Sequence, residues 1–299
     1  MPDGASDQTV LVGVDGSDSA TRAVTWAARY ALDRRLPLRL VHAFAWPDST
    51  FDPNAVLARR VAHTSVGEQY RDDLIRHAEQ DLATAVAAAR EVAPGLEVYH
   101  EVVTGAPTEV LLAESAQALV TVVGSRGRGG FAGLLLGSVA VAVATRAHCP
   151  VVVVRGEPPF RTDAPVLVGF DPAASGDGAL DFAFDVAAAR WVPVEVLYAW
   201  RDEYSVPDAD DTGDVVEAGR SLLAEHLDAR RARHPDVEVR ELIVSDRPAR
   251  ALIDRSATAQ LVVVGSRGRA GVAAALGSVS HALIHHAACP VAVVPRAGG

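Results

Sequence analysis

Short β-branched runs alternate with longer amphipathic ones along the whole chain. TVLVGV, residues 9 to 14, is a continuous apolar run of strand length. After the polar DGSDS, the residues Ala20, Ala23, Val24, Ala27, Ala28 and Ala31 recur at helical spacing and predict a helix with one buried face. LRLVHAF (38–44) predicts a second strand, residues 66 to 92 a long helix, and EVYHEVV (97–103) a third strand. APTEVLLAESAQ (106–117) reads as a helix with Pro107 in its first turn, where a missing N–H costs nothing. LVTVVG, the stretch Ser138 to Ala147, and PVVVVR then complete the series as strand, helix and strand.

The series is written twice. VLVGFD (166–171) echoes VLVGVD (10–15), VVVGSRGR (262–269) echoes TVVGSRGR (121–128), and ACPVAVV echoes HCPVVVV, in the same order. The second copy is shorter between its second and third strands. RGEPPFRTDAP (155–165), rich in proline and polar residues, separates the copies as a linker. The expected organisation is a first domain over 8–155, a linker over 156–164 and a second domain over 165–296. Alternating β and α elements predict a parallel sheet with helices on both faces and right-handed crossovers. The fold class is therefore α/β: two tandem Rossmann-like domains, each a five-stranded parallel sheet. Ligands of such sheets sit beyond the carboxyl ends of the strands, where strand order reverses.

Composition narrows the chemistry. The 299 residues are 49% hydrophobic and 22% charged, as in a globular protein, with a formal net charge of -10 that argues against general nucleic-acid affinity. All 28 basic residues are arginine, which removes a Walker A lysine and Schiff-base chemistry together. The N-terminus lacks the pattern of a signal peptide, and the apolar stretch Phe131 to Ala144 is too short to span a bilayer, so a cytoplasmic protein without membrane contact is expected. Cys149 and Cys289 occupy equivalent places before a Pro and a strand, and read as packing residues; a redox sensor is the alternative.

The densest chemistry lies in VVGSRGRGGFAGLLLGSVA (122–140). Gly124 and Gly127 follow a strand, and Gly137 and Ser138 open the next helix. Glycine permits positive φ and lets backbone N–H groups approach a ligand, while a helix start offers unpaired N–H groups and the positive end of its dipole. Arg126 and Arg128 add fixed positive charge, so the stretch reads as an anion cradle. The alternative leaves these arginines solvated or paired with surface carboxylates.

On these residues each copy resembles a universal stress protein domain, and the whole chain resembles tandem members of that family from actinobacteria. The family's ATP signature is Gly, two residues, Gly, nine residues, Gly-Ser or Gly-Thr, and Gly124, Gly127, Gly137 and Ser138 match it. The resemblance extends the site to Val14 and Asp15 at the end of the first strand, to Val41 and Ala43 as the adenine-reading backbone of the second, and to Val139. In copy two it implies Asp171, Leu197, Ala199, Gly265, Arg267, Gly268, Arg269, Gly277, Ser278, Val279 and Ser280. Either Asp has an alternative role as an N-cap or turn residue. His42 and Tyr198 are read as facing the core or a neighbouring helix, with no chemistry assigned. Copy two departs from the signature, with eight residues between Gly268 and Gly277 and DPAASG in place of DGSDS; copy one carries Ala140 where copy two has Ser280.

What the resemblance implies is a nucleotide-dependent regulator of the stress response that binds ATP, alone or with Mg²⁺, and is not an efficient enzyme. The alternatives are a weak ATPase or phosphotransferase using Asp15 and the arginines, and a protein-interaction scaffold with vestigial sites. No kinase, Walker B or H-E-x-x-H pattern is present, and the adjacent His285 and His286 point to different helix faces. The expected partners are an adenine nucleotide and a second copy of the chain, as a homodimer, with pseudo-twofold pairing of the two domains inside each chain.

Overall fold

The computed structural model describes residues 9–46, 64–128, 136–156, 163–172, 176–200, 212–266 and 276–296. The chain divides into two compact units between Val154 and Arg155. Residues 157–162 of the expected linker lie outside the described residues.

The first unit runs β1 (Thr9–Val14), α1 (Asp18–Arg34), β2 (Leu38–Phe44), α2 (Ser65–Val92), β3 (Val98–Thr104), α3 (Pro107–Ser115), β4 (Ala118–Gly124), α4 (Ser138–Arg146) and β5 (Val151–Val154). Its strands lie in the order β3-β2-β1-β4-β5. Every neighbouring pair is parallel. Strand order therefore reverses between β1 and β4. Right-handed crossovers then place α1 and α2 on one face of the sheet and α3 and α4 on the other. Contacts agree, since α1 packs on α2 and α3 on α4.

Each expected strand and helix of this unit is present, with ends displaced by a residue or two. The six small residues singled out in α1 are all buried. Ser17 caps that helix by accepting a hydrogen bond from the Ala20 N–H (3.2 Å). Arg35 closes it in the left-handed region at φ 55°, its N–H donating to the carbonyls of Ala31 and Leu32.

The second unit repeats the plan with β6 (Val166–Gly169), α5 (Gly176–Arg190), β7 (Val194–Ala199), α6 (Thr212–Arg233), β8 (Val239–Val244), α7 (Pro248–Ser256), β9 (Leu261–Gly265), α8 (Ser278–His286) and β10 (Val291–Val294). Its strand order is β8-β7-β6-β9-β10, again parallel throughout. Among the described residues no helix is long and apolar enough to cross a membrane.

Candidate functional site

A cavity of about 690 Å³ opens in the first unit at the carboxyl ends of β1, β2 and β4, where strand order reverses. That volume is of the size that holds a nucleotide-sized ligand. Val14 and Asp15 reach it from β1, Val41 and Ala43 from β2, and Gly124, Arg126, Gly127 and Arg128 from the end of β4. Gly137, Ser138 and Val139 line it from the start of α4. All the first-copy residues singled out in the sequence thus meet at one cavity. Pro107, Leu111, Leu136 and Ala140 give it an apolar side.

The start of α4 has the character of an anion site. Gly137 is its N-cap in extended conformation and supplies no side-chain cap, so the capping residue takes none of the first N–H groups of the helix, which open beside the cavity. The Gly137 N–H itself donates to the Ser125 carbonyl (2.8 Å), so the chain re-enters beside the end of β4. Arg126 and Arg128 are exposed at the rim.

The glycines act differently from the sequence expectation. Neither Gly124, Gly127 nor Gly137 adopts positive φ. A Cβ at Gly124 would stand 2.7 Å from the backbone of Ser19, and one at Gly127 would stand 2.4 Å from Asp15 Oδ2. These two glycines therefore permit close approach to the protein's own α1 and Asp15. The positive φ falls instead at Gly16 (φ 73°), in the turn between β1 and α1, where a Cβ would also meet the carboxylate of Asp81.

Asp15 joins two loops. Its Oδ1 accepts from the Ser17 N–H (3.1 Å) and hydroxyl (2.6 Å), and its Oδ2 accepts from the Arg128 N–H (2.9 Å). The turn role and a place on the cavity wall are thus held by the same side chain, while the N-cap is Ser17. A second clasp lies beside it, since Ser19 Oγ accepts from the Arg126 N–H (3.2 Å) and the Ser17 hydroxyl donates to the Arg126 carbonyl (3.4 Å).

Two site groups escaped the sequence reading. Asp81, near the middle of α2, takes both guanidinium nitrogens of Arg128 (2.8 and 3.3 Å) and lies 3.4 Å from His42 Nε2. One signal for it was present: Asp81 stands on the apolar stripe of α2 that buries Ala78, Leu82, Ala85 and Ala89. His42 meets this neighbouring helix as expected, and it also lines the cavity. Among the described residues its buried Nδ1 has no hydrogen-bond partner. Burial is the main cause that pushes the imidazole's pKa below its ordinary value, against the opposing pull of Asp81.

In the second unit the corresponding loop is described only at its ends. Arg267, Gly268 and Arg269 lie outside the described residues. Gly265 ends β9, and the Gly277 N–H donates to the Ser266 carbonyl (2.8 Å), the same closure as in the first unit. Gly277 likewise caps α8 without a side-chain bond, followed by Ser278 and Val279, while the Ser280 hydroxyl donates to the Gly265 carbonyl (2.6 Å). Leu197 is buried and Asp171 and Ala199 are half-buried at the ends of β6 and β7. Tyr198, at the place of His42, packs as expected on a neighbouring helix, its ring against Gly219 of α6 and edge-on to Phe170. Leu222 stands where α2 has Asp81, next to Leu223, which is as fully buried as its counterpart Leu82. The polar network of the first unit is therefore not repeated at these positions.

Both cysteines are buried free thiols. Burial pushes Cys149 up and holds Cys289 at about 12, so neither is poised as a thiolate and the packing role is the one their surroundings support. Among the described residues no group of three or more His, Cys, Asp or Glu side chains could hold a metal ion.

A family model described as the universal stress protein family matches residues 8–155 and again 164–295. A universal stress protein of Mycobacterium tuberculosis strain H37Rv is 38% identical over 306 residues, covering 98% of this chain and 98% of that protein. One from Mycolicibacterium smegmatis is 35% identical over 306 residues, covering 99% of this chain and all of its own length, 100%. The crystal structure of a universal stress protein from Archaeoglobus fulgidus aligns with a TM-score of 0.69 at 22% identity, over 98% of this chain and 100% of that one, a likeness of fold.

Proposed function

This chain belongs to the universal stress protein family, and we propose that its first unit binds an adenine nucleotide, ATP foremost, at the cavity between β1, β2 and β4. The observation that carries this reading is the convergence of a glycine-capped helix start, two arginines and the β2 end on one cavity at the strand-order reversal. Val41 and Ala43 would hold the adenine through their backbone, and Asp15 would lie by the ribose. The phosphates would take the N–H groups at Ser138 and Val139, the loop at Gly124 and Gly127, and the charges of Arg126 and Arg128. Mg²⁺, where it accompanies ATP, would travel with the phosphates. The second unit has the same strand ends and helix start around Asp171, Leu197, Ala199, Gly265 and Gly277, and belongs to this proposal as a second, weaker site.

Binding is favoured over turnover because both oxygens of Asp15 already hold the loops together. A regulator would use occupancy as its signal: a phosphate that draws Arg128 off Asp81 changes what α2 is tied to. The chain would act as a cytoplasmic regulator that works as a homodimer under stress, in two domains over 8–155 and 165–296. Light scattering should then give twice the chain mass.

Calorimetric titration tests the site. ATP and AMP should bind, adenosine should bind more weakly, and Arg126→Ala with Arg128→Ala should weaken ATP while leaving adenosine unchanged. Equal loss for all three ligands would remove the phosphate-cradle assignment.

A further inference from the structure

Helix α8 carries a feature that the nucleotide reading does not use and does not depend on. His281 and His285 are four residues apart, so they project from the same side of the helix one turn from each other, and their ring centroids lie 4.6 Å apart. His286 follows directly, with its ring 6.1 Å from that of His285, and its position in the helix turns it to another side. The inner face of α8 is made by Leu283 and Ile284, both fully buried, whereas His281 is exposed and His285 half-buried.

The fold does not require these imidazoles. Helix α4 occupies the same place in the first unit, between the glycine cradle and the last strand, and has Val141 and Thr145 at the matching positions. There the Thr145 hydroxyl simply donates to the Val141 carbonyl (2.7 Å). The histidine pair is thus particular to the second unit. Arg155, the cation facing His285, directs its guanidinium to the carbonyls of Ile284 and Ala287.

We propose that His281 and His285 form a two-imidazole binding site for a late first-row divalent metal ion, Cu²⁺, Ni²⁺ or Zn²⁺, on the surface of α8. Two imidazoles one helical turn apart form a chelating pair, as the paired histidines of helical zinc motifs do. With no third protein ligand among the described residues, the remaining positions go to water or to an exchangeable ligand, which makes this a loading site rather than a closed structural one. Mg²⁺ and Ca²⁺, which prefer oxygen ligands, are not bound there.

The test is calorimetric titration of the full chain with CuCl₂, NiCl₂ and ZnCl₂ in a non-coordinating buffer, with MgCl₂ as control. Copper should bind most tightly, following the Irving–Williams order. His281→Gln and His285→Gln should each weaken the tightest site roughly tenfold or more, at least the loss seen when only an outer-shell partner is removed. His286→Gln should leave it intact. Both variants change exposed or half-exposed positions, and circular dichroism without metal should match wild type. In the Cu²⁺ form, electron paramagnetic resonance should show two coordinated nitrogens in wild type and fewer in either variant. Absence of saturable binding, unchanged binding in both variants, or an equal loss in His286→Gln would overturn the proposal.

Discussion

A side chain at Gly127 would meet the carboxylate of Asp15 rather than the apolar core. A methyl group there would stand 2.4 Å from Asp15 Oδ2 and push the carboxylate off the Arg128 N–H, so the loop after β4 would lose one of its two clasps to the β1–α1 segment and keep only the one at Arg126. Gly127→Ala should therefore abolish nucleotide binding in the first unit while moving the urea midpoint little, as calorimetry and chemical denaturation together would show. Gly124 is different, because its neighbour at 2.7 Å is the backbone of Ser19 and α1 itself would have to shift. Gly124→Ala should cost about 1–3 kcal/mol of stability, the usual range for overpacking. His42 supplies a pH signature. Its folded pKa lies below the ordinary 6.5 because burial disfavours the charged ring. The unfolded chain then binds more protons, so stability is full above pH 6.5 and declines as pH falls from there through the folded value. His42→Gln should flatten that decline in denaturation curves, and NMR titration should place the His42 midpoint below 6.5. The glycine spacing was readable in the sequence as a motif. Its physical reason was not, since contacts such as Gly124 to Ser19 join residues far apart in the chain.

Among the elements, α2 crosses over the β1–α1 turn and brings Asp81 to Arg128 at the rim of the cavity. The carboxylate is largely buried, 14% exposed, while the arginine that answers it is 59% exposed. An incoming phosphate would have to share that arginine. Asp81→Asn removes the competing charge, and ATP affinity should rise severalfold while adenosine binding stays as it was. Titration of both ligands against the variant checks this. The strands and helices themselves were legible from alternation and from the small-residue stripe of α1, because each pattern is local. Asp81 was not, because an acid on an apolar stripe shows that a partner is needed without showing which one. That partner is supplied only by the crossover of α2.

For the whole molecule, the duplication visible in the sequence reappears as two units with one strand order, and the family match spans both. Duplication preserved the scaffold more closely than the polar network: His42 and Asp81 give way to Tyr198 and Leu222, and the loop after β9 is shorter by one residue. The most direct measurement is the adenine nucleotide released from the purified chain on heat denaturation after incubation with ATP, identified and counted per chain for wild type, Gly127→Asp and Gly268→Asp. Wild type should release nucleotide, Gly127→Asp should lose one equivalent, and Gly268→Asp should lose less. No nucleotide in wild type, or an undiminished count in Gly127→Asp, would contradict it.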